Sequence, residues 1–284
     1  MSTIVETNAA VDAPSGKGAG DENFPVGSRL ISPRLRPHVM RYYAFARGTD
    51  DIADNPDLSP EEKVRRLDLC EAGLAPDAAG PAIATRLRDS LAETGVATSC
   101  ASDLLIAFRA DATKLRYASW DELLDYCRHS AHPVGRYLLQ LHGESAETEG
   151  PGDALCAALQ VLNHLQDIGD DRRKLDRVYL PGDWMAAERV EIADLDRDHC
   201  TSGLRAVVER CLDGADALLD RSAPLAGMVR DRRLAAETAV IQRLARRLSA
   251  RLRREDPLAG RVKHSSLDLA HGIWAGLVRL VGIR

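Results

Sequence analysis

Gln160, Asn163, Asp167 and Asp171 stand at spacings of three, four and four in the stretch ALCAALQVLNHLQDIGDD, residues 154–171. Those intervals place all four on one face of a helix. The first half of the stretch is apolar nearly all round, which predicts a buried helix. Unpaired carboxylates in a dry interior cost too much to be accidental, so the polar face must point at something. A second stripe runs through YAFARGTDDIAD, residues 43–54. There Tyr43, Arg47, Asp50 or Asp51, and Asp54 follow a similar rhythm, and one face again collects an aromatic ring, a cation and carboxylates.

Two aspartate stripes about 110 residues apart in sequence predict a shared site. Clustered carboxylates repel one another unless cations sit between them. All-oxygen ligands select a hard cation, and Mg2+ is favoured where substrate phosphates complete its octahedron. The chemistry these residues point to is the binding of Mg2+ and a diphosphate at the mouth of a cavity. A lone acidic string on a helix is usually a solvated surface. Two such stripes, one of them on an otherwise apolar helix with Asn163 four residues before its first Asp, argue against that reading.

The elements that position these groups are predicted to be helices throughout. Ala, Leu, Arg, Glu and Asp dominate, aromatics make up only 4%, and strand-type runs are few. Helical stretches are expected at about 34–54, 61–73, 81–93, 99–114, 119–131, 134–142, 151–172, 183–188, 201–222, 224–230, 232–254 and 266–281. Pro37 either falls in the first turn of the first helix or marks its true start. Asn55-Pro56 ends that helix. Ser59-Pro60-Glu61-Glu62 starts the next with a capping box. With no internal repeat and no strand–helix alternation, the fold expected is all-α, a single catalytic domain over 23–284 behind a disordered tail at 1–22.

Bulk properties exclude several function classes. A net charge of −5 is unsuited to general nucleic-acid binding, and no nucleic-acid partner is expected. The six cysteines form no CxxC pair and read as reduced thiols of a cytosolic protein. No stretch approaches the ~18 consecutive apolar residues of a membrane span. The polar N-terminus lacks the pattern of a secretory signal. The expected location is the cytoplasm, with peripheral association at the inner face of the plasma membrane as an extension. That extension rests on SLDLAHGIWAGLVRLVGIR, which reads either as a helix lying on a membrane surface or as a core-packing helix.

The two stripes resemble the motifs of the squalene/phytoene synthase family. Its first motif, DxxxD preceded three residues earlier by Arg, is matched by Asp50, Asp54 and Arg47. Its second, NxxxDxxxD preceded three residues earlier by Gln, is matched by Asn163, Asp167, Asp171 and Gln160. Tyr126, nine residues before Gly135, and the strip Arg177-Val178-Tyr179-Leu180-Pro181 are similar too. The likeness spans roughly Asn23 to Arg254. It implies an isoprenoid synthase-type bundle around a central cavity and an isoprenoid diphosphate substrate. Asp50, Asp54, Asp167 and Asp171 would bind Mg2+, with Asp51 and Asn163 as further candidates. Arg47 and Arg177 would hold phosphate, with Tyr179 as a hydrogen-bond donor. Tyr43, Phe45, Phe108 and Tyr126 are candidates to face a carbocation, and ordinary core packing is the competing reading for the two phenylalanines. Asp111 is a candidate for metal or water contact. His129, His132 and His164 lie near these residues in sequence; each reads as a structural histidine, with the positioning of a reacting water as the competing reading.

Within the family the likeness is greatest to the branch that ionises presqualene diphosphate and adds water. Condensing members usually carry Arg just before the first Asp of the second motif, where this chain has Gln166; one diphosphate needs less fixed positive charge than two. The expected partners in such a pathway are a presqualene diphosphate synthase and a downstream reductase. The alternatives are head-to-head condensation of two farnesyl diphosphates and, from another class, a non-catalytic helical assembly factor.

Overall fold

A computed structural model describes residues 30–281; the expected tail at 1–22 and the start of order near Asn23 lie outside these. The described residues are mostly helical, and the chain divides into two compact units, one running to Thr113 and including Arg136–Gly143, the other formed by Lys114–Gly135 and the chain from Glu144 on.

In the first unit, α1 (Arg36–Asp54), α2 (Pro60–Ala72), α3 (Ala82–Thr94) and α4 (Ser99–Asp111) pack around Phe45, Leu67, Cys70, Leu87, Leu104 and Leu105. Pro37 sits in the first turn of α1, where its missing N–H costs no hydrogen bond. Asn55 ends α1 in an extended conformation ahead of Pro56, and its side-chain oxygen accepts from the Asp57 N–H at 2.8 Å. Only half of the expected capping box forms. The Ser59 hydroxyl accepts from the Glu62 N–H, while the Glu62 carboxylate pairs with Arg65 and Arg66 instead. Two buried hydrogen bonds tie α1 to its neighbours: His38 Nδ1 to Ser90 Oγ at 2.7 Å, and the Tyr42 hydroxyl to the Cys100 carbonyl at 2.7 Å.

The second unit contains α5 (Trp120–Ser130), the long α7 (Glu149–Gln166), α8 (Ile168–Leu175), α9 (Gly182–Ala187), α10 (Ser202–Ser222), α11 (Leu225–Met228), α12 (Arg232–Leu252) and α13 (Ser266–Val281). The boundary between units falls within α6 (His132–Leu141). Helix α7 packs along α10, and α12 pairs with α13. Gly135 lets α6 approach α7, because a Cβ there would stand 2.5 Å from Cys156 Sγ. Arg253 joins the end of α12 to α10 through Glu209, Asp213 and Asp216, at 2.7 to 2.8 Å. Gly272 and Gly276 bring α13 against Leu244, Val240 and Ala236 of α12.

Two features differ from the sequence expectation. The helix foreseen over 151–172 is two helices, because Asp167 adopts φ −102°, ψ 9° between α7 and α8. That is the sparsely populated bridge region in which many active-site residues sit. The backbone still bonds across the break, Asp167 N–H to Asn163 O at 3.0 Å and Asp171 N–H to Asp167 O at 2.8 Å. The second difference is a short parallel pair, β1 (Arg116–Tyr117) with β2 (Val178–Pro181), which sequence periodicity did not reveal. All four residues of β2 are buried, so no alternation is visible in it. All six cysteines are free, four of them buried.

Candidate active site

The first stripe occupies one side of α1. Arg47 lies between two carboxylates, its Nη1 3.0 Å from Asp50 Oδ2 and its Nη2 2.8 Å from Asp51 Oδ1. Asp54 and the buried Asp111 at the end of α4 stand close enough to Asp50 to repel it. Burial is the largest influence on Asp50, and with Asp54, Asp111 and Asp51 it outweighs the attraction of Arg47. The carboxyl is therefore held well above the ordinary carboxylate range. Tyr43 is half-buried on the same helix. Phe45 has no exposed surface, and Phe108 is 7% exposed; both lie in the unit's core cluster among Val39, Tyr42 and Leu104. Lys114, three residues after Asp111, is beyond the helix end, and its ammonium pairs with Glu122.

The second stripe divides at the helix break. Gln160 and Asn163 are half-buried on α7, Asp167 occupies the break, and Asp171 lies in the first turn of α8. Asp170 does not share the inward role of Asp171. It faces Arg173 at 2.9 Å and Lys174 at 2.8 Å, and the Lys174 hydrogen bond foremost holds it below the usual carboxylate range. Asp167 moves the other way. Burial raises its pKa, Arg261 partly offsets this, and Asp171 and Asp170 raise it further. Arg261 contacts both Asp167 oxygens, Nε to Oδ1 at 2.8 Å and Nη2 to Oδ2 at 3.0 Å.

Gln166 does not face the acids. It is 2% exposed, its amide nitrogen donates to the Val262 carbonyl, and its Oε1 has no hydrogen-bond partner. It anchors the segment that carries Arg261, so the cation expected to be missing beside Asp167 arrives from elsewhere in the chain.

The strand pair sets the wall beside Asp171. The Val178 N–H donates to the Leu115 carbonyl at 2.9 Å, which places Tyr117 of β1 beside Tyr179 of β2. Their rings are 5.4 Å apart, and Tyr126 of α5 joins both at 5.3 and 5.4 Å. His164 of α7 stacks on Tyr179 at 3.6 Å and 14°. Its Nδ1 is 3.8 Å from Asp171 Oδ2. His164, Asp171, Tyr179 and the buried Arg177 line a hollow together with Ile168, Val178 and Leu180.

Sequence reasoning placed Tyr126, Asp171, Arg177 and Tyr179 in a site, and the second unit gathers these four. Asp50, Asp54, Asp111 and Arg47 are gathered in the first. Sequence reasoning did not foresee a site role for Tyr117 or Arg261, and it favoured a structural role for His164. His164 carried a signal, being four residues after Gln160 and seven before Asp171, on the same helical face. Arg261 carried none, since it lies 94 residues from Asp167 and outside any helix.

Both clusters suit a hard cation. Each offers carboxylate oxygens whose mutual repulsion a single arginine leaves incompletely offset. Among the described residues no three His, Cys, Asp or Glu side chains stand close enough together to hold an ion unaided. A Mg2+ ion at either cluster would have to keep several waters and take one or two carboxylates plus phosphate oxygens.

The chain matches the family described as squalene/phytoene synthase over residues 18–268. A hydroxysqualene synthase of Rhodopseudomonas palustris is 47% identical over 219 residues, covering 77% of this chain and 73% of that protein. Another, from Sinorhizobium fredii, is 46% identical over 208 residues, covering 71% of each. Among solved structures, the squalene synthase HpnC from Alicyclobacillus acidocaldarius superposes with a TM-score of 0.71 at 31% identity, covering 89% of this chain and 95% of that one.

A consequence for stability follows from Asp50. Its raised pKa means that the folded chain favours the protonated form. The stability this contributes is full at low pH and is lost as the pH rises through the raised value. Asp50→Asn is therefore expected to raise the melting temperature at neutral pH in the presence of a chelator. The gain should shrink toward the acid range, as read by thermal denaturation across pH. An unchanged or lowered melting temperature at neutral pH would contradict the electrostatic account of this cluster.

Proposed function

This chain belongs to the squalene/phytoene synthase family, and from that premise we propose that it converts presqualene diphosphate and water to hydroxysqualene and pyrophosphate, as a Mg2+-dependent carbon–oxygen lyase. The observation that carries this reading is the 47% identity to a hydroxysqualene synthase over most of both chains. The intact acid pairs Asp50/Asp54 and Asp167/Asp171, each with a guanidinium beside it, support it.

Asp50 and Asp54 on α1, and Asp167, Asp171 and Asn163 at the α7–α8 break, are the residues that would hold Mg2+. Asp51 and Asp111 lie at the edge of the first set. Bound there, Mg2+ supplies Lewis-acid stabilisation of the leaving diphosphate. Arg47 and Arg177 hold phosphate oxygens by charge-assisted hydrogen bonds, and the Tyr179 hydroxyl donates another. Arg47 already lies between two carboxylates, so it is oriented before a phosphate arrives. The aromatic faces of Tyr43 and Tyr126 stabilise the cation left behind, and the apolar surroundings keep bulk water from it. Gln160, one turn before Asn163 on α7, is a further candidate to contact the substrate. The substrate must come from an enzyme that condenses two farnesyl diphosphates. The product, an allylic alcohol, must pass to a reductase.

Substrate and product are both long hydrocarbons, and α13 supplies a surface that fits a lipid bilayer. Its inner face is pinned to α12, while Leu267, Ile273, Trp274, Leu277 and Val281 point outward, each at least 49% exposed. Lys263 precedes it and is exposed, which suits anionic headgroups. Among the described residues no helix is long and apolar enough to cross a membrane, so this contact would lie in the plane of the interface.

Two experiments test the reading. Presqualene diphosphate incubated with the chain and Mg2+, without NADPH, should give hydroxysqualene and pyrophosphate in equal amounts. Asp54→Asn or Asp167→Asn should slow this on the order of a hundredfold or more. No turnover, or formation of presqualene diphosphate or phytoene from farnesyl diphosphate alone, would overturn it. For the membrane contact, the chain should sediment with vesicles containing anionic lipid. The double substitution Trp274→Glu and Leu277→Glu should abolish sedimentation while leaving the fold intact by circular dichroism. Equal sedimentation of both forms would remove α13 from the account.

A further inference from the structure

Among the groups around the second aspartate stripe, His164 has no place in the roles given so far. Its side chain is 10% exposed. One ring face is taken by Tyr179 at 3.6 Å, and Nδ1 lies 3.8 Å from the Asp171 carboxylate, beyond direct hydrogen-bond reach. That leaves Nε2, which is buried and has no hydrogen-bond partner. Buried polar atoms are almost always satisfied, and an exception of this kind marks a place where something else binds. Were the ring there only to pack against Tyr179, a phenylalanine would serve as well without leaving a nitrogen stranded.

The hollow beside the ring has room for one small hydrogen-bonding partner. It is lined by His164, Asp171, Arg177 and Tyr179, and it leaves about 10 Å³ for the centre of a water molecule. One ordered water needs about that much space, together with two to four polar partners. An isoprenoid chain does not fit into such a volume, whereas one water does, and the lining supplies the partners.

We propose that His164 Nε2 holds the water that ends the reaction, in the hollow bounded by Asp171, Arg177 and Tyr179. This rests on the activity proposed above. In the neutral tautomer that carries its proton on Nδ1, the side nearer the Asp171 carboxylate, Nε2 is the accepting nitrogen. It takes a hydrogen bond from one water hydrogen and fixes the direction of the oxygen lone pairs. After diphosphate has left and the cyclopropyl cation has rearranged, one C–O bond forms between the water oxygen and the cationic carbon. One O–H bond of that water breaks, and its proton goes to the diphosphate anion released earlier. Hydroxysqualene and protonated pyrophosphate account for every atom and charge, and no oxidant or reductant is consumed. The neighbouring aromatic rings of Tyr126, Tyr117 and Tyr179 form a wall beside this single water. A cation that meets no oriented water ends instead by losing a proton to give a hydrocarbon, or by adding water at another carbon.

The test measures hydroxysqualene formed per pyrophosphate released from presqualene diphosphate with Mg2+, in the full chain. This ratio reports how the cation is captured and is insensitive to how much enzyme is folded or how fast ionisation runs. His164→Phe keeps a ring to stack on Tyr179 and deletes Nε2; the ratio should fall about tenfold, the loss of roughly one hydrogen bond to the reacting water. Hydrocarbon and misplaced alcohols should make up the difference. His164→Gln, whose amide tip reaches the position of Nε2, should recover most of the ratio. An unchanged ratio in His164→Phe would overturn the assignment, as would a ratio that falls equally in Phe and Gln variants. The wild-type reaction run alongside separates this from the underlying reading. If wild type forms no hydroxysqualene, the proposed activity falls and the water assignment with it. If wild type forms it and His164→Phe matches it, only the water assignment falls.

Discussion

Carboxylates held at the margin of apolar helices are the constraint around which this protein is arranged. A carboxylate removed from water without a partner is expensive, and several together are more so. Asp50 shows the cost most clearly, because burial and three acidic neighbours outweigh its one arginine. Evolution retains such an arrangement where a ligand repays it, since the same positions filled with amides would give a more stable fold. The pairings of Arg47 with Asp50 and Asp51, and of Arg261 with Asp167, hold the acids in place while leaving them electrostatically unsatisfied.

The rest of the second unit serves to aim these groups. The pause in the helix at Asp167 turns a continuous polar stripe into two short ones, with Asp171 beginning a new helix. The β1–β2 pair brings Tyr117 and Tyr179 together and carries Arg177 into the interior. His164 then closes the wall by stacking on Tyr179. Polar groups on one side and aromatic surface on the other give the setting that the proposed loss of diphosphate and capture of the cation would need.

Much of this was legible in the sequence, for identifiable reasons. Periodicity located the helices to within a few residues, because each carries its own apolar face and its own stop signal, such as Asn55-Pro56. The two stripes were visible because acids at spacings of three and four on an apolar background are too costly to persist unless they face a ligand. What stayed hidden depends on contacts between residues remote in sequence. Arg261 reaches Asp167 across 94 positions, and Gln166 turns to Val262 across 96, so neither partner could be read from local pattern. The break at Asp167 was not read because the polar spacing of three, four and four runs across it without interruption, from Gln160 to Asp171. The strand pair was missed because Val178-Tyr179-Leu180-Pro181 is buried on every face and shows no alternation. Phe45 and Phe108 were placed among candidates to face a cation, with core packing as the competing reading. The structure sets both in the core of the first unit, where Phe45 has no exposed surface.

The central proposal is that the acids of each stripe bind Mg2+ in the company of a diphosphate. The most direct measurement is the melting temperature with Mg2+, with pyrophosphate, and with both, for the wild-type chain and for Asp54→Asn and Asp171→Asn. Ligands that bind only the folded state raise this temperature by mass action. The account predicts that Mg2+ and pyrophosphate together raise it by more than the sum of their separate effects, and that either substitution removes the excess. Additive effects in the wild type, or an excess that survives both substitutions, would contradict it.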